Sequence, residues 1–246
     1  LSDSKEAIGI ITQARMTSTR LPGKVFKEIQ GKPLLAYHLD RLRMTGFMVI
    51  IATTTNSTDD CICEYAEKHR IPYFRGSESN VLSRYYGAAS AFHVNPVVRV
   101  TSDCPLIDPQ LIRSSIKQYL QMNDPDLYMS NGIERTFARG FDFEIFSFKA
   151  LEEAFNNARE ESDLEHVTPY IWKNKSGKTK FFHLRQNEDH SQLRITVDTP
   201  EDFNLIRQLI ENYHAADLSF AEIESILLAH PELVKINSSI EQKKVN

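Results

Sequence analysis

Apolar strand-like runs alternate with helix-patterned segments across the first half of this 246-residue chain, and few folds accommodate that alternation. Ala7–Thr12, Phe47–Thr53, Pro72–Arg75 and Val97–Thr101 are short runs of apolar and β-branched residues bounded by turn formers, the pattern of buried strands. The segments between them carry helical signals. Pro33 stands at a first-turn position, and Asn56-Ser-Thr precedes a stretch with Ile62, Tyr65 and Ala66 on one face. Over 79–92, Val81, Leu82, Tyr85, Ala88, Ala89 and Phe92 are spaced for burial, and Asp108-Pro109 supplies an N-cap and first turn for the next helix. A β-α-β-α order needs crossover connections, so it predicts an α/β fold with a mostly parallel sheet and helices on both faces.

The second half follows a different pattern. Asn131–Ser147 alternates and holds Gly132 and Gly140, which predicts a hairpin excursion over 131–147 able to cover a pocket or a partner subunit. Helices are expected near 149–160 and 164–174, strands at 179–185 and 193–197, and a further helix from Thr199-Pro200. With 41% hydrophobic residues the chain can bury one sizeable core, so 1–246 is expected to form a single domain whose polar tail, 241–246, frays.

A net charge of −4 gives no global electrostatic support for a nucleic-acid partner. No apolar run approaches the roughly 20 residues of a membrane span, and the N-terminus has no signal-peptide core, so a soluble, cytoplasmic protein is expected. Cys61, Cys63 and Cys104 do not form a metal-like set, and unpaired thiols suit a reducing compartment.

The first strand opens directly into Gln13-Ala-Arg-Met-Thr-Ser-Thr-Arg-Leu-Pro-Gly-Lys24. Arg15, Arg20 and Lys24 supply charge there. Thr17, Ser18, Thr19 and backbone N–H groups supply neutral donors, and Gly23 permits close approach or positive φ. A triphosphate fits such a loop, and a solvated turn remains the alternative reading. There is neither a G-x-x-x-x-G-K-[ST] nor a G-x-G-x-x-G motif, which excludes a P-loop and argues against a dinucleotide site. Two carboxylates follow strand-like runs. Asp103 comes after Val97-Val-Arg-Val-Thr-Ser, and Asp198 after Leu193-Arg-Ile-Thr-Val. Ligands of open parallel sheets gather outside the strands' carboxyl ends, where two such groups can share a hard cation. Asp108 reads as a helix cap, and Asp198 reads equally as part of the cap before Thr199-Pro200.

Ala14-Arg15-x-x-Ser18-x-Arg20-Leu-Pro-Gly-Lys24, followed by Gly31-Lys-Pro-Leu-Leu35, resembles the nucleotide signature of CMP-KDO-synthetase-like cytidylyltransferases, closest to the spore-coat polysaccharide biosynthesis type. The likeness recurs in separate motifs from about Ile8 to Ile210. It implies a three-layer α/β/α sandwich of the nucleotide-diphospho-sugar transferase type, with Ala14, Arg15, Ser18, Arg20 and Lys24 around the triphosphate. Val100-Thr-Ser-Asp-Cys-Pro-Leu-Ile-Asp-Pro109 and Arg194-Ile-Thr-Val-Asp-Thr-Pro-Glu-Asp-Phe203 resemble the family's metal segments, which implies Asp103 and Asp198 as Mg²⁺ ligands and leaves Asp108, Glu201 and Asp202 structural. The implied reaction is in-line attack of an anionic, sugar-acid-like acceptor on the α-phosphorus of CTP with loss of pyrophosphate. Arg15, Lys24 and Asp103 would carry the catalysis, which demands alignment and neutralised charge more than covalent help.

Gly76-Ser-Glu-Ser-Asn-Val-Leu-Ser-Arg-Tyr resembles the segment beside the nucleobase and ribose, implying nucleotide contacts from Asn80, Ser83 and Arg84, although the family usually has Asp where Asn80 stands. In a strand, Asp142 and Glu144 share one side while Phe141, Phe143 and Ile145 share the other, so a polar face able to hold sugar hydroxyls or an amine is backed by an apolar one. This stretch resembles the family's Arg-Gly-Leu-Asp-x-Glu element. Together with Glu165-His-Val-Thr-Pro-Tyr170 it implies an acceptor site of Asn131, Arg139, Asp142, Glu144 and His166. Ala138, Phe141 and Leu164 stand where the family has Pro, Leu and Arg. Homodimerisation through the 131–147 excursion is a further implication. The rival readings are a glycosyltransferase on the same fold and a nucleotide-binding protein without turnover.

Overall fold

The computed structural model describes residues 7–241. Of the tail expected to fray, 242–246 lie outside the described residues. Seven strands make one mixed sheet. They are β1 (Ala7–Gln13), β4 (Met48–Thr54), β5 (Tyr73–Gly76), β6 (Val94–Thr101), β7 (Leu127–Ser130), β8 (Glu144–Phe146) and β9 (Lys180–His183), in the spatial order β5-β4-β1-β6-β8-β7-β9. A two-stranded ribbon, β2 (Glu28–Ile29) with β3 (Lys32–Pro33), stands apart. β1 lies inside the sheet and pairs in parallel with β4 and β6, Ile11 lying opposite Ile50 on one side and Arg99 on the other. β8 runs antiparallel to both neighbours and brings Glu144 level with Arg99.

Helices cover both faces, as the alternation predicted. On one face α1 (Leu34–Arg43), α2 (Asp60–Lys68) and α4 (Pro109–Met122) pack Leu35, Leu39, Ile62, Ile112 and Ile116 against Ile10, Ile51 and Val98. On the other, α3 (Val81–Ala91), α5 (Phe148–Asn157) and the short α7 (Pro169–Trp172) pack Leu82, Tyr85, Ala88, Leu151 and Ile171 against Ile11, Ile50 and Val97. Each large side chain so buried contributes roughly 1.5–3 kcal/mol, so the expected apolar spacing of α3 is what seats that helix. A third cluster joins α8 (Pro200–Tyr213), α9 (Phe220–Ala229) and α10 (Pro231–Lys235) to Ala138, Phe141, Ile195 and Val197. This segment therefore backs the loop after β7.

Several boundaries differ from expectation. Pro33 is the N-cap residue of α1 and ends β3, because its extended ψ of 151° places it outside the helix. Asn56 precedes a 3-10 turn, Ser57–Asp59, and its side chain makes no cap bond, being drawn instead to Glu78. The excursion is a 13-residue loop, 131–143, between β7 and β8; the ladder covers only Tyr128–Ser130 and Glu144–Phe146. The segment expected as strand 193–197 makes one bridge, Arg194 to Arg139, and no strand. Residues 164–174 divide between α6 (Glu161–His166) and α7 at Val167, where φ is 73° and ψ is −54°. Among the described residues no helix is long and apolar enough to cross a membrane.

Candidate active site

The carboxyl ends of β1, β5 and β6 lie on one edge of the sheet, and the loops leaving them line a cavity of about 850 Å³. β1 delivers Ala14, Arg15, Ser18, Arg20 and Lys24, β5 delivers Glu78 and Asn80, and β6 delivers Ser102 and Asp103. The β1 loop folds back on itself. Gly23 donates from N to the Met16 carbonyl at 2.9 Å, with φ of 66°, a region that glycine enters without steric cost. Lys24, the next residue, then opens a 3-10 turn and points inward.

Lys24 is the centre of the charge network. Its Nζ donates to Asp198 Oδ1 at 2.9 Å, to Asp103 Oδ2 at 3.3 Å and to the Val197 carbonyl at 2.8 Å. Burial opposes its charge, but the two carboxylates outweigh burial and hold its pKa above the usual value. For Asp103 burial pushes the pKa up, yet Lys24 and hydrogen bonds from Thr101 and Cys104 bring it below the usual carboxylate range. Asp198 Oδ2 pairs with Arg20 Nη2 at 3.0 Å and Arg194 Nη2 at 2.9 Å. Arg194 is itself held by a fork onto buried Asp202, Nε to Oδ1 at 2.9 Å and Nη2 to Oδ2 at 3.0 Å. Asp202 also caps α8 as one half of a capping box with Thr199, so the helix N-terminus and Asp198 are fixed together.

A second cavity of about 460 Å³ opens on the other side of Asp103 and Asp198, and both carboxylates, Thr101 and His166 line the two cavities at once. Its floor is a partly buried ion pair, Arg99 Nη1 to Glu144 Oε2 at 2.7 Å, and Glu144 Oε1 accepts from Tyr128 at 2.7 Å and Thr168 at 2.9 Å. Arg135 pairs with Asp142, whose other oxygen accepts from Gly140 N at 2.7 Å. Arg139 lines the cavity and, among the described residues, makes no ion pair. His166 sits at the end of α6, before a three-residue turn in which Thr168 N donates to the His166 carbonyl at 2.9 Å. A β-branched residue at positive φ, Val167, is the strained centre of that turn. Burial and Arg99 hold the His166 pKa below its usual value, against the pull of Glu165, so the imidazole is neutral at pH 7.

The cytidylyltransferase family profile matches residues 8–237. The chain belongs to the cytidylyltransferase family. It is 36% identical to an uncharacterized protein of Methanocaldococcus jannaschii over 240 residues, 96% of each chain. It is 30% identical to the spore coat polysaccharide biosynthesis protein SpsF of Bacillus subtilis, over 90% of this chain and 94% of that one. A solved cytidylyltransferase from Leptospira borgpetersenii superposes with a TM-score of 0.89 at 32% identity, covering 98% of this chain and 100% of that one. The structure of CMP:2-keto-3-deoxy-manno-octonic acid synthetase complexed with CTP superposes with a TM-score of 0.60 at 15% identity, over 85% of this chain and 100% of that one, and so shares the fold.

Within this cytidylyltransferase most residues expected at the site line one of the two cavities, and a few are engaged elsewhere. Ser83 does not line the first cavity; its hydroxyl donates to the Asn80 carbonyl at 2.8 Å and its N–H to Asn80 Oδ1 at 2.8 Å, so both groups are spent on the first turn of α3. Asn80 is the N-cap of that helix as well as part of the cavity lip. Arg84 lies under the cavity, almost wholly buried, and donates from Nη1 to the Ser77 carbonyl at 2.6 Å. Asn131 is buried and does not line the second cavity. It braces the 131–143 loop, donating to the Phe141 carbonyl at 2.7 Å and accepting from Phe143 N at 3.0 Å. Glu144 lines the second cavity while accepting from Arg99, Tyr128 and Thr168.

Four site residues were not anticipated. Glu78 accepts from Thr17 and Asn56 and pairs with Arg15 at 3.3 Å; the Thr17 and Asn56 bonds, aided by Arg15, hold its carboxyl below the usual range. Arg99, Arg135 and Arg194 each enter ion pairs at or beneath the cavities. An arginine inside Val97-Val-Arg-Val, or inside Leu193-Arg-Ile, was the available signal, because a buried strand tolerates a charge only with a partner.

Proposed function

We propose that the larger cavity takes CTP, that the smaller takes an anionic, sugar-acid-like acceptor, and that CMP passes between them with release of pyrophosphate. The observation that carries this reading is the shared boundary: Asp103, Asp198 and His166 line both cavities, with the basic β1 loop on one side of them and Arg139 on the other. Arg15, Ser18, Arg20 and Lys24 supply donors for the α-, β- and γ-phosphate oxygens and for the charge that grows on the departing pyrophosphate. The name of SpsF points the product toward spore coat polysaccharide, and that of the 3-deoxy-manno-octulosonate cytidylyltransferase of Lawsonia intracellularis, 26% identical over 81% of this chain and 92% of that one, points the acceptor toward a sugar acid.

Asp103 and Asp198 fit a Mg²⁺ ion. Both offer an oxygen to one cation, Lys24 Nζ, and among the described residues no group of three or more His, Cys, Asp or Glu forms a complete cage. A two-carboxylate site leaves the remaining positions of an octahedron to phosphate and water. When bound, Mg²⁺ neutralises phosphate charge and polarises the α-phosphate. The chain's residues do the positioning. Arg139 holds the acceptor's anionic group, and the Arg135–Asp142 pair meets its hydroxyls. Neutral His166 offers a hydrogen-bond acceptor where the attacking hydroxyl must shed its proton.

Calorimetric titration with CTP, UTP, GTP and ATP, with and without Mg²⁺, tests this reading. It expects binding selective for CTP that weakens without Mg²⁺ and in Asp103→Asn. Binding indifferent to the base, the metal and Asp103 would overturn it.

A further inference from the structure

The two carboxylates that would hold Mg²⁺ are the ones Lys24 already bridges. Asp198 Oδ2 is occupied by two guanidinium groups, Arg20 at 3.0 Å and Arg194 at 2.9 Å, and Arg194 is locked in place by its fork onto Asp202. That leaves Oδ1 of Asp198, which accepts from Lys24 at 2.9 Å, and the carboxylate of Asp103, whose Oδ2 accepts from the same ammonium at 3.3 Å while Oδ1 meets the Cys104 thiol at 3.6 Å. Lys24 Nζ also reaches the Val197 carbonyl at 2.8 Å, and its side chain is only 12% exposed. An ammonium and a divalent ion cannot both sit between these two carboxylates, because two cations within about 3 Å repel strongly wherever water is largely excluded. The local charges are already balanced. Asp103, Asp198 and Asp202 face Lys24, Arg20 and Arg194, so a divalent ion gains little by entering unless one cation leaves.

Arg194 is fixed by buried bonds, and Arg20 touches only Oδ2 of Asp198, so its departure would not open the space between the two carboxylates. Lys24 is the cation that stands between them. Its flexible stem rises from the loop whose Arg15, Ser18 and Thr19 line the same cavity, where phosphate oxygens would offer it new acceptors. We propose that Lys24 is an exchangeable counter-ion: it bridges Asp103 and Asp198 in the nucleotide-free protein, and the metal takes those oxygens when triphosphate oxygens arrive to receive the ammonium. This rests on the proposed CTP and metal site and adds a rule of order to it. Metal alone binds weakly, nucleotide and metal bind with positive coupling, and neither carboxylate stands without a cation at any stage.

The probe is Mn²⁺, counted as free ion by electron paramagnetic resonance, with and without CTP, in the wild type, Lys24→Met, Lys24→Gln and Lys24→Met/Asp103→Asn. Both single variants are expected to bind Mn²⁺ alone at least about tenfold more tightly than the wild type, although they bind CTP more weakly. The double variant is expected to lose the gain, which locates the ion at Asp103. In the wild type CTP should tighten Mn²⁺ about tenfold or more, and in the Lys24 variants that coupling should largely vanish. Thermal unfolding checks that each variant is folded, and two replacements of different polarity guard against an idiosyncratic one. If both bind Mn²⁺ no better than a wild type that still binds Mn²⁺ with CTP, the exchange is wrong and the site stands. If the wild type binds no Mn²⁺ even with CTP, the site reading falls and the exchange falls with it.

Discussion

Arg139 and Arg135 lie four residues apart on one loop and face the same cavity, yet only Arg135 has a carboxylate partner, Asp142. Burial and the neighbouring Arg135 work against the Arg139 guanidinium and pull its pKa below the usual value, so an incoming anion relieves a cost already present. Replacing Arg139 by Ala is expected to leave the CTP dissociation constant within about twofold while reducing CMP transfer to a sugar acid by about 10- to 100-fold, the worth of one hydrogen bond to a charged group. Parallel calorimetry and transfer assays check this; equal loss of both would place Arg139 on the nucleotide side. Residue types and spacing brought Arg15, Lys24 and Asp103 forward, since charge clustered after a buried strand has few other uses, and all three line the first cavity. The resemblance also pointed to Ser83 and Asn131, which line neither cavity and whose polar groups are engaged by local backbone. Asn, Ser and Asp serve caps and turns as readily as ligands, and sequence spacing does not separate the two uses.

The loop that bears Arg139 is held by an element distant in sequence. Glu224 on α9 is buried. Its Oε1 accepts from Ala138 N at 2.7 Å, and Oε2 accepts from Gln186 at 3.0 Å and lies 2.7 Å from His190 Nδ1. Proline at position 138 would lack that N–H, so Ala138 replaces a fixed φ with a hydrogen bond. Gly140, at φ of 118°, carries the chain past Ile195, where an added Cβ would meet the Ile195 backbone carbonyl carbon at 2.9 Å. Glu224→Ala strands a buried N–H and is expected to cost about 1–3 kcal/mol in denaturant unfolding. The bond to Glu224 raises the His190 pKa against burial, helped by Glu188. A raised pKa in the folded state means the stabilisation is full below the unfolded value near 6.5 and is lost as pH rises through the folded one. The unfolding midpoint should therefore fall as pH rises through that window, and His190→Gln should flatten this part of the profile. None of this was legible, because nothing in the sequence around Glu224 names Ala138, Gln186 or His190 as its partners.

At the scale of the whole molecule, the C-terminal segment closes the site from behind. Buried Asn237 donates to Asp202 Oδ1 at 2.8 Å and to the Arg194 carbonyl at 3.1 Å, so the last described turn touches the pair that steadies Asp198. Asp202→Ala leaves Arg194 buried without its fork and is expected to cost about 3–5 kcal/mol, measured by urea unfolding, with an Asn237→Ala loss that is smaller and not additive. The parallel half of the fold was readable because every strand is a short apolar run between amphipathic helices. Between 131 and 198 only the helix near 149–160 and the strand at 179–185 were readable, as α5 and β9, and the rest was not. Its backbone is satisfied by loop and side-chain bonds, Arg194 pairs with Arg139 in a lone bridge, and Val167 breaks a helix that propensity would continue.

Pyrophosphate release from CTP, followed while a panel of sugar acids is supplied with Mg²⁺, tests the central claim. Release that requires an acceptor and falls by about 10²-fold or more in Asp103→Asn is the expected result. Tight CTP binding with no pyrophosphate formed from any acid in the panel would contradict it.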